Sequence, residues 1–367
     1  MKQMALTTEK ILASLTEPML TWYRESARDL PWRRTEDPYR IWVSEIMLQQ
    51  TRVAAVLDYY ARFLESFPTV EALASAPEEL LMKHWEGLGY YSRARNLQKA
   101  AKLVTQRYGG HFPPDYDALL KLPGIGEYTA GAIASSAFGL REPAVDGNVL
   151  RVVTRITDCH DDITDPKTKR AVRAQVAAAM PETAEEIRVF NQAVMELGAT
   201  VCIPNGPPKC ALCPAGELCL ARRRGTIAQL PVKAPKKERR REEKTVFLLL
   251  QGRTVALRRR SGSGLLAGLW EFPNTEGLLD EAAAASVLAS WRLEISAWEK
   301  QMPAKHIFSH VEWQMTGYSL RVTGAGPADI LWADAETLER YAVPSAFGKY
   351  YAEAKKLLSA ERSGGKL

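Results

Sequence analysis

From about Thr8 to Leu220 apolar residues recur at three- and four-residue spacing. Examples are Ile41-Trp42-Val43-Ile46-Met47, Val53-Val56-Leu57-Tyr60-Phe63-Leu64 and Leu97-Ala100-Ala101-Val104. That period places one apolar stripe along each segment and predicts amphipathic helices. Pro68, Pro77, Gly87, Gly89, Pro113-Pro114 and Pro123-Gly124 punctuate them, and Ala171–Met180 and Val189–Gly198 add two more helical stretches. After Thr245 short β-prone runs replace this pattern. Val246–Gln251 and Thr254–Leu257, joined by Gly252-Arg253, predict a hairpin. Trp270–Pro273, His306–Met315 and Tyr318–Val322 are further strands, the last two split at Thr316-Gly317. Helices are expected at about Leu279–Trp291 and Ser345–Leu358. Between the halves, from about Arg222 to Lys244, the periodicity stops. Pro231, Pro235 and Lys236-Lys237-Glu238-Arg239-Arg240-Arg241 make this an extended connector. The pattern predicts a mainly α N-terminal domain over 8–224, a connector over 225–244 and an α+β domain over 245–360.

Two domains suit a chain of 367 residues, and 46% hydrophobic with 25% charged residues excludes a disordered or collagen-like chain. The net charge of +6 is unevenly placed. Ala221–Lys244 holds ten Lys and Arg against three Glu, a local +7 that leaves about −1 for the rest. Such a patch suits a polyanion such as nucleic acid, although a solvated linker explains it equally well. No apolar run reaches the roughly 18 residues of a membrane span. Glu9, Lys10 and Glu17 interrupt the N-terminal stretch, which lacks the core of a signal peptide. A cytoplasmic, nucleoid-associated monomer without membrane contact is expected.

Five cysteines make no disulfide scaffold in so long a chain. Cys202, Cys210, Cys213 and Cys219 follow the spacing C-x7-C-x2-C-x5-C. Four soft thiolates this close bind zinc or an iron–sulfur cluster. Structural zinc sites usually show two tight pairs, and only Cys210 and Cys213 form one here, so the asymmetry favours [4Fe–4S]. A staple that projects Lys209 and Arg222–Arg224 toward phosphates fits such a cluster better than electron transfer. Cys159 stands alone as a buried thiol.

Leu122-Pro123-Gly124-Ile125-Gly126 joins the helical stretch Tyr116–Lys121 to one that begins near Tyr128-Thr129. Gly124 and Gly126 permit a tight turn, and the amides that open the next helix can then bind a DNA phosphate. Further on, Asp146-Gly147-Asn148 enters another helix. Asp146 is either an N-cap or a carboxylate held where cationic charge develops.

Hairpin, Asp and four-Cys loop in this order resemble the helix–hairpin–helix DNA glycosylases of the endonuclease III superfamily, and within it the MutY-type adenine DNA glycosylases. Leu30-Pro31-Trp32-Arg33, the run Val43–Thr51, Gly87–Arg95, Phe190–Gly198 and Phe308-Ser309-His310 resemble that family's signatures. The resemblance implies a [4Fe–4S] cluster on the four cysteines, in a loop over 202–219, and a helix–hairpin–helix over about 116–140. It also implies duplex DNA with A:8-oxoguanine or A:G mispairs as substrate. The first cysteine gap departs from the family by one residue, expected as a bulge at Gly206-Pro207. Bifunctional relatives carry a Lys nucleophile two residues after the second hairpin Gly. Tyr128 stands there and cannot form a Schiff base, so a monofunctional glycosylase is expected. The C-terminal domain resembles a Nudix fold, yet Glu281–Val287 holds too few carboxylates for Mg²⁺ and should hydrolyse nothing.

The roles follow from this resemblance. Glu45, on an apolar helix, is the acid that protonates adenine N7, the alternative being a structural salt bridge with an Arg. Asp146 stabilises or traps the oxocarbenium ion, with Tyr128 and Asn148 bonded nearby. Leu48, Gln49 and Thr51 belong to the substrate-binding set, where Leu48 and Gln49 fill the gap or probe the opposite base. Trp32 stacks on the extruded adenine, while Arg33 and Glu196 meet its edge. Phe308, Ser309 and His310 read 8-oxoguanine. Two other readings compete: an endonuclease III-like lyase on oxidised pyrimidines, and a non-catalytic iron–sulfur DNA-binding protein.

Overall fold

The computed structural model describes residues 8–235 and 238–363. Lys236 and Lys237, part of the connector's basic run, lie outside the described residues. The described chain separates into two compact units, one formed by residues 8–75 with 96–235, the other by 76–95 with 238–363.

The first unit is helical, as its apolar period predicts. Local chemistry sets the helix starts. Asp37 accepts from the Tyr39 amide at 2.9 Å with Pro38 in the first turn of Pro38–Leu48. Asp115 caps Tyr116–Leu120, and Thr183 caps Ala184–Thr200 with Glu186 reaching back to it. Gly139, at φ +65°, closes Glu127–Phe138 in the left-handed conformation that glycine adopts without strain. One core of this unit joins Leu12, Leu15, Met19, Val153, Ile156, Val176, Phe190 and Leu197. Helices Gly147–Thr157 and Ala184–Thr200 cross closely, because a Cβ on Gly198 would lie 2.6 Å from Asn148 Cβ. That contact holds Asn148 against its neighbour.

The second unit is built on one eight-stranded sheet: β1 (Arg240–Gln251), β2 (Thr254–Arg259), β3 (Trp270–Glu271), β4 (Asn274–Glu276), β5 (Glu294–Gln301), β6 (Ala304–Ile307), β7 (Val311–Thr323) and β8 (Ile330–Ala333). The central pair β1–β7 is parallel and all other pairs are antiparallel. Helix Glu281–Ser290 covers one face through Ala284 and Leu288. Phe347, Tyr350, Ala354 and Leu358 cover the other. The predicted β1–β2 hairpin forms around Gly252-Arg253, with Gln251 opposite Thr254.

Several details differ from the sequence reading: β5 and β8 were not foreseen, residues 225–235 group with the helical unit, and Cys159, expected as a buried thiol, is half-buried. The break expected at Thr316-Gly317 falls at Phe308–His310, where the Phe308 amide donates to Val311 O at 2.8 Å and closes a tight turn. Gly317 lies inside β7, because a Cβ there would meet the Tyr350 ring at 2.1 Å. Residues 240–244, expected in the connector, open β1 and pair with β7, where Trp313 Nε1 donates to Glu242 at 2.8 Å. Segment 76–95, expected within the helical domain, groups with the sheet. Val343 N donates to Glu86, Lys83 donates to Tyr341 O, and Arg95 donates to Ala267 O.

Candidate active site and cysteine loop

In the helical unit a cavity of about 480 Å³ opens among Trp32, Arg33, Glu45, Leu48, Gln49, Thr51, Tyr128, Asp146, Asn148 and Glu196. Its size lies in the range of about 300–1,000 Å³ typical of small-molecule sites. Ten residues singled out from separate motifs thus line one space.

Glu45 is buried on helix Pro38–Leu48. Its neighbour is not an arginine: Tyr128 Oη donates to Glu45 Oε2 at 2.5 Å. Arg33 instead pairs with Glu196. Burial pushes the Glu45 carboxyl up to about 7; the Tyr128 bond and Arg33 act the other way, and Asp146 adds to the rise. Such an acid holds a proton near neutrality.

Asp146 is an N-cap, the first of the two readings open for it. One oxygen caps helix Gly147–Thr157 by accepting from the amides of Asn148 and Val149, each at 2.8 Å, while the other accepts from Asn148 Nδ2 at 2.7 Å. Burial raises its carboxyl, and these donors with the Arg151 charge oppose the rise. Three donors favour the anion at Asp146, whereas a single hydroxyl faces Glu45. Tyr128 is held far above its ordinary value by burial and by both carboxylates, so it remains a donor.

Glu196 is fully buried at the cavity wall and meets Arg33 and Arg28. Arg28 grips it in bidentate fashion, Nε and Nη2 each at 2.7 Å. Burial alone would raise this carboxyl, yet the bonds from Arg28 and Arg33 hold it at about 2. Trp32 is buried and packs edge-on against Tyr60 at 5.3 Å, with its side chain also at the cavity wall. Gln49 turns inward, Nε2 donating to Thr129 Oγ1 at 3.5 Å, while Gln50 stands exposed at φ +61° on the cavity rim. Arg28 and Gln50 were missed by sequence reasoning. Gln50 sat inside a quoted motif, but nothing in the sequence set Arg28 apart from its neighbours.

The hairpin is in place between Tyr116–Leu120 and Glu127–Phe138. Gly124 adopts φ +79°, and a Cβ there would press on Asn96 Cβ at 2.8 Å. Gly126 needs no special backbone and faces open space.

All four cysteines of the C-x7-C-x2-C-x5-C run line one small cavity. Gly206 takes up the long first gap at φ +76° on the surface. Among the described residues no three Cys, His, Asp or Glu side chains are close enough to hold a single metal ion. Zinc at about 2.3 Å from each sulfur needs donors that converge on one point. Four thiols around one space are a donor set that could hold a polynuclear cluster. Burial, then the charges of Cys202, Cys219 and Cys210, push the Cys213 thiol up to about 12, so a cationic centre would be needed to hold it as a thiolate. Buried Arg155 donates to Cys202 Sγ at 3.3 Å. Arg151 donates to Cys202 O and to Asn148 Oδ1, both at 2.8 Å, so one side chain spans from the cysteine loop to the partner of Asp146.

In the sheet unit Phe308, Ser309 and His310 form the β6–β7 turn. The Phe308 ring lies half-buried between His306 at 4.5 Å and Trp313 at 4.8 Å, and Ser309 Oγ meets Tyr90 Oη at 2.5 Å.

A helical fold with a Pro-Gly hairpin and two buried carboxyls on one cavity fits a base excision glycosylase, and comparison with known proteins agrees. The model of the HhH-GPD superfamily of base excision DNA repair proteins matches residues 43–178, and the NUDIX domain model matches 245–353. Solved relatives include a thermostable thymine-DNA glycosylase (30% identity, TM-score 0.52, covering 59% of this chain and 99% of that one). A non-covalent endonuclease III–DNA complex is also similar (28%, TM-score 0.50, 60% and 98%). The adenine DNA glycosylase of Homo sapiens is 36% identical across 91% of this chain and 72% of its own length. That of Buchnera aphidicola subsp. Baizongia pistaciae is 37% identical across 70% and 72%. The chain belongs to the adenine DNA glycosylase family, enzymes that remove adenine in base excision repair.

Proposed function

We propose that this glycosylase releases adenine paired with 8-oxoguanine or guanine in duplex DNA, without cutting the strand. Adenine must first leave the stack, at a cost of roughly a few kcal/mol. Glu45 then gives its proton to adenine N7 as the C1′–N9 bond breaks, and the bonding electrons leave with the base. Asp146 stabilises the resulting oxocarbenium ion, or traps it as an ester before water adds at C1′. Glu45 ends as the carboxylate and is reprotonated from solvent. The observation that carries this reading is a carboxyl held near pH 7 on the same cavity as a carboxylate surrounded by N–H donors. Arg28, Arg33 and Glu196 would meet the adenine edge, and Phe308–His310 the base opposite.

The four cysteines would hold a [4Fe–4S] cluster, which when bound supplies a cross-link for the 202–219 loop. Arg155 and Arg151 tie that loop to the helix that Asp146 caps. A cytoplasmic, nucleoid-associated monomer is part of the same proposal.

The test is a single-turnover assay on A:8-oxoguanine, A:G and oxidised-pyrimidine duplexes, with borohydride present in parallel samples. Adenine release fastest opposite 8-oxoguanine and no trapped adduct are expected. A borohydride-trapped enzyme–DNA adduct, or release of an oxidised pyrimidine, would favour the lyase reading.

A further inference from the structure

The basic run of the connector is not used by the mechanism, yet its described end lies on the Phe308–His310 turn. Arg239 Nε donates to Phe308 O at 3.2 Å, and the Arg240 amide donates to His310 O at 3.0 Å. Arg240 is paired with Val311 in the parallel β1–β7 ladder, so the run enters the sheet beside the turn. Arg240 turns its guanidinium to Glu242, and the Arg241 charge acts on Glu312. Arg239 is exposed. Its fork of five donors can meet a carbonyl with one edge and a phosphate with another.

We propose that Arg239 is a positioning residue for this turn and at the same time a contact to a phosphate of the DNA strand that the turn reads. The proposal rests on the reading of Phe308–His310 as the recogniser of the base opposite adenine. Phosphate contacts fix register and base contacts specify. An arginine that makes the first and braces the element making the second couples register to readout.

Arg239→Ala and Arg239→Lys test this in the full-length protein, with Phe308→Ala as reference. Two quantities are read: the ratio of single-turnover rates on A:8-oxoguanine and A:G, and the slope of log binding constant against log salt. Arg239→Ala should lower the rate ratio about two- to tenfold, as loss of one hydrogen bond implies, and reduce the slope by about 0.9. Arg239→Lys should keep the slope and lose the ratio, because lysine retains the charge without the fork. Wild-type ratio and slope in Arg239→Ala overturn the proposal, and a reduced slope with an unchanged ratio overturns the positioning role. If Phe308→Ala itself keeps full preference for 8-oxoguanine, the reading beneath the proposal fails.

Discussion

Tyr128 donates its hydroxyl to the buried carboxyl of Glu45 at 2.5 Å, from the position where strand-cutting relatives are expected to carry a lysine. A neutral donor lets Glu45 stay protonated, whereas an ammonium there would favour the carboxylate. In the proposed mechanism Tyr128 therefore bears on the chemistry through the proton on Glu45. Its bond lowers the Glu45 carboxyl against the rise from burial. Tyr128→Phe should therefore move the pH at which the single-turnover rate declines above its wild-type position near 7. A pH profile of both proteins checks this, and a downward move would contradict it.

Glu45 also affects stability. Folded, it keeps its proton to about pH 7, while unfolded it loses it near 4.5. The folded state binds more protons between those values, so stability falls as pH rises through the window and levels off above it. The full loss is about 3 kcal/mol. Glu45→Gln should accordingly melt higher than wild type at pH 8 and close to it at pH 4.5. Equal melting temperatures at pH 8 would argue against a buried, protonated carboxyl.

Arg28 was not foreseen, and its bidentate grip on Glu196 predicts a measurable role. Arg28→Ala should destabilise the fold by about 1.5–3 kcal/mol, the range for hydrogen bonds to a charged group, in urea unfolding. Arg28→Lys should recover only part of this, since it cannot reproduce the fork. Unaltered stability in Arg28→Ala would mean that Arg33 alone satisfies Glu196.

The cysteine loop predicts four irons per chain in anaerobically purified protein, with visible charge-transfer absorbance. Cys213→Ser should lower the iron content and leave segment 202–225 sensitive to protease. One zinc per chain would contradict the polynuclear site.

Local signals made much of this legible. The Pro-Gly-x-Gly hairpin needs a left-handed residue at Gly124, and Asp before Gly-Asn announces an N-cap, so both were readable from adjacent residues. The apolar period around Glu45 foretold its burial, although its hydroxyl partner lies 83 residues away and had to come from the fold. What escaped was tertiary. Gly317 looked like a turn because the Tyr350 ring it accommodates is distant in sequence. Segment 76–95 carries a helical pattern that cannot say which unit Glu86 and Arg95 will bind. Gln49 and Gln50 are indistinguishable as neighbours, and the backbone at φ +61° decides which one stays on the rim.

The most direct test of the acid–anion pair compares Glu45→Gln and Asp146→Asn in single-turnover adenine release from an A:8-oxoguanine duplex, with duplex affinity measured on the same samples. Asparagine caps a helix about as well as aspartate, and glutamine can still accept from Tyr128, so both variants should fold and bind. Release should be abolished in each while affinity stays near that of wild type. Ordinary turnover in either variant would contradict the account.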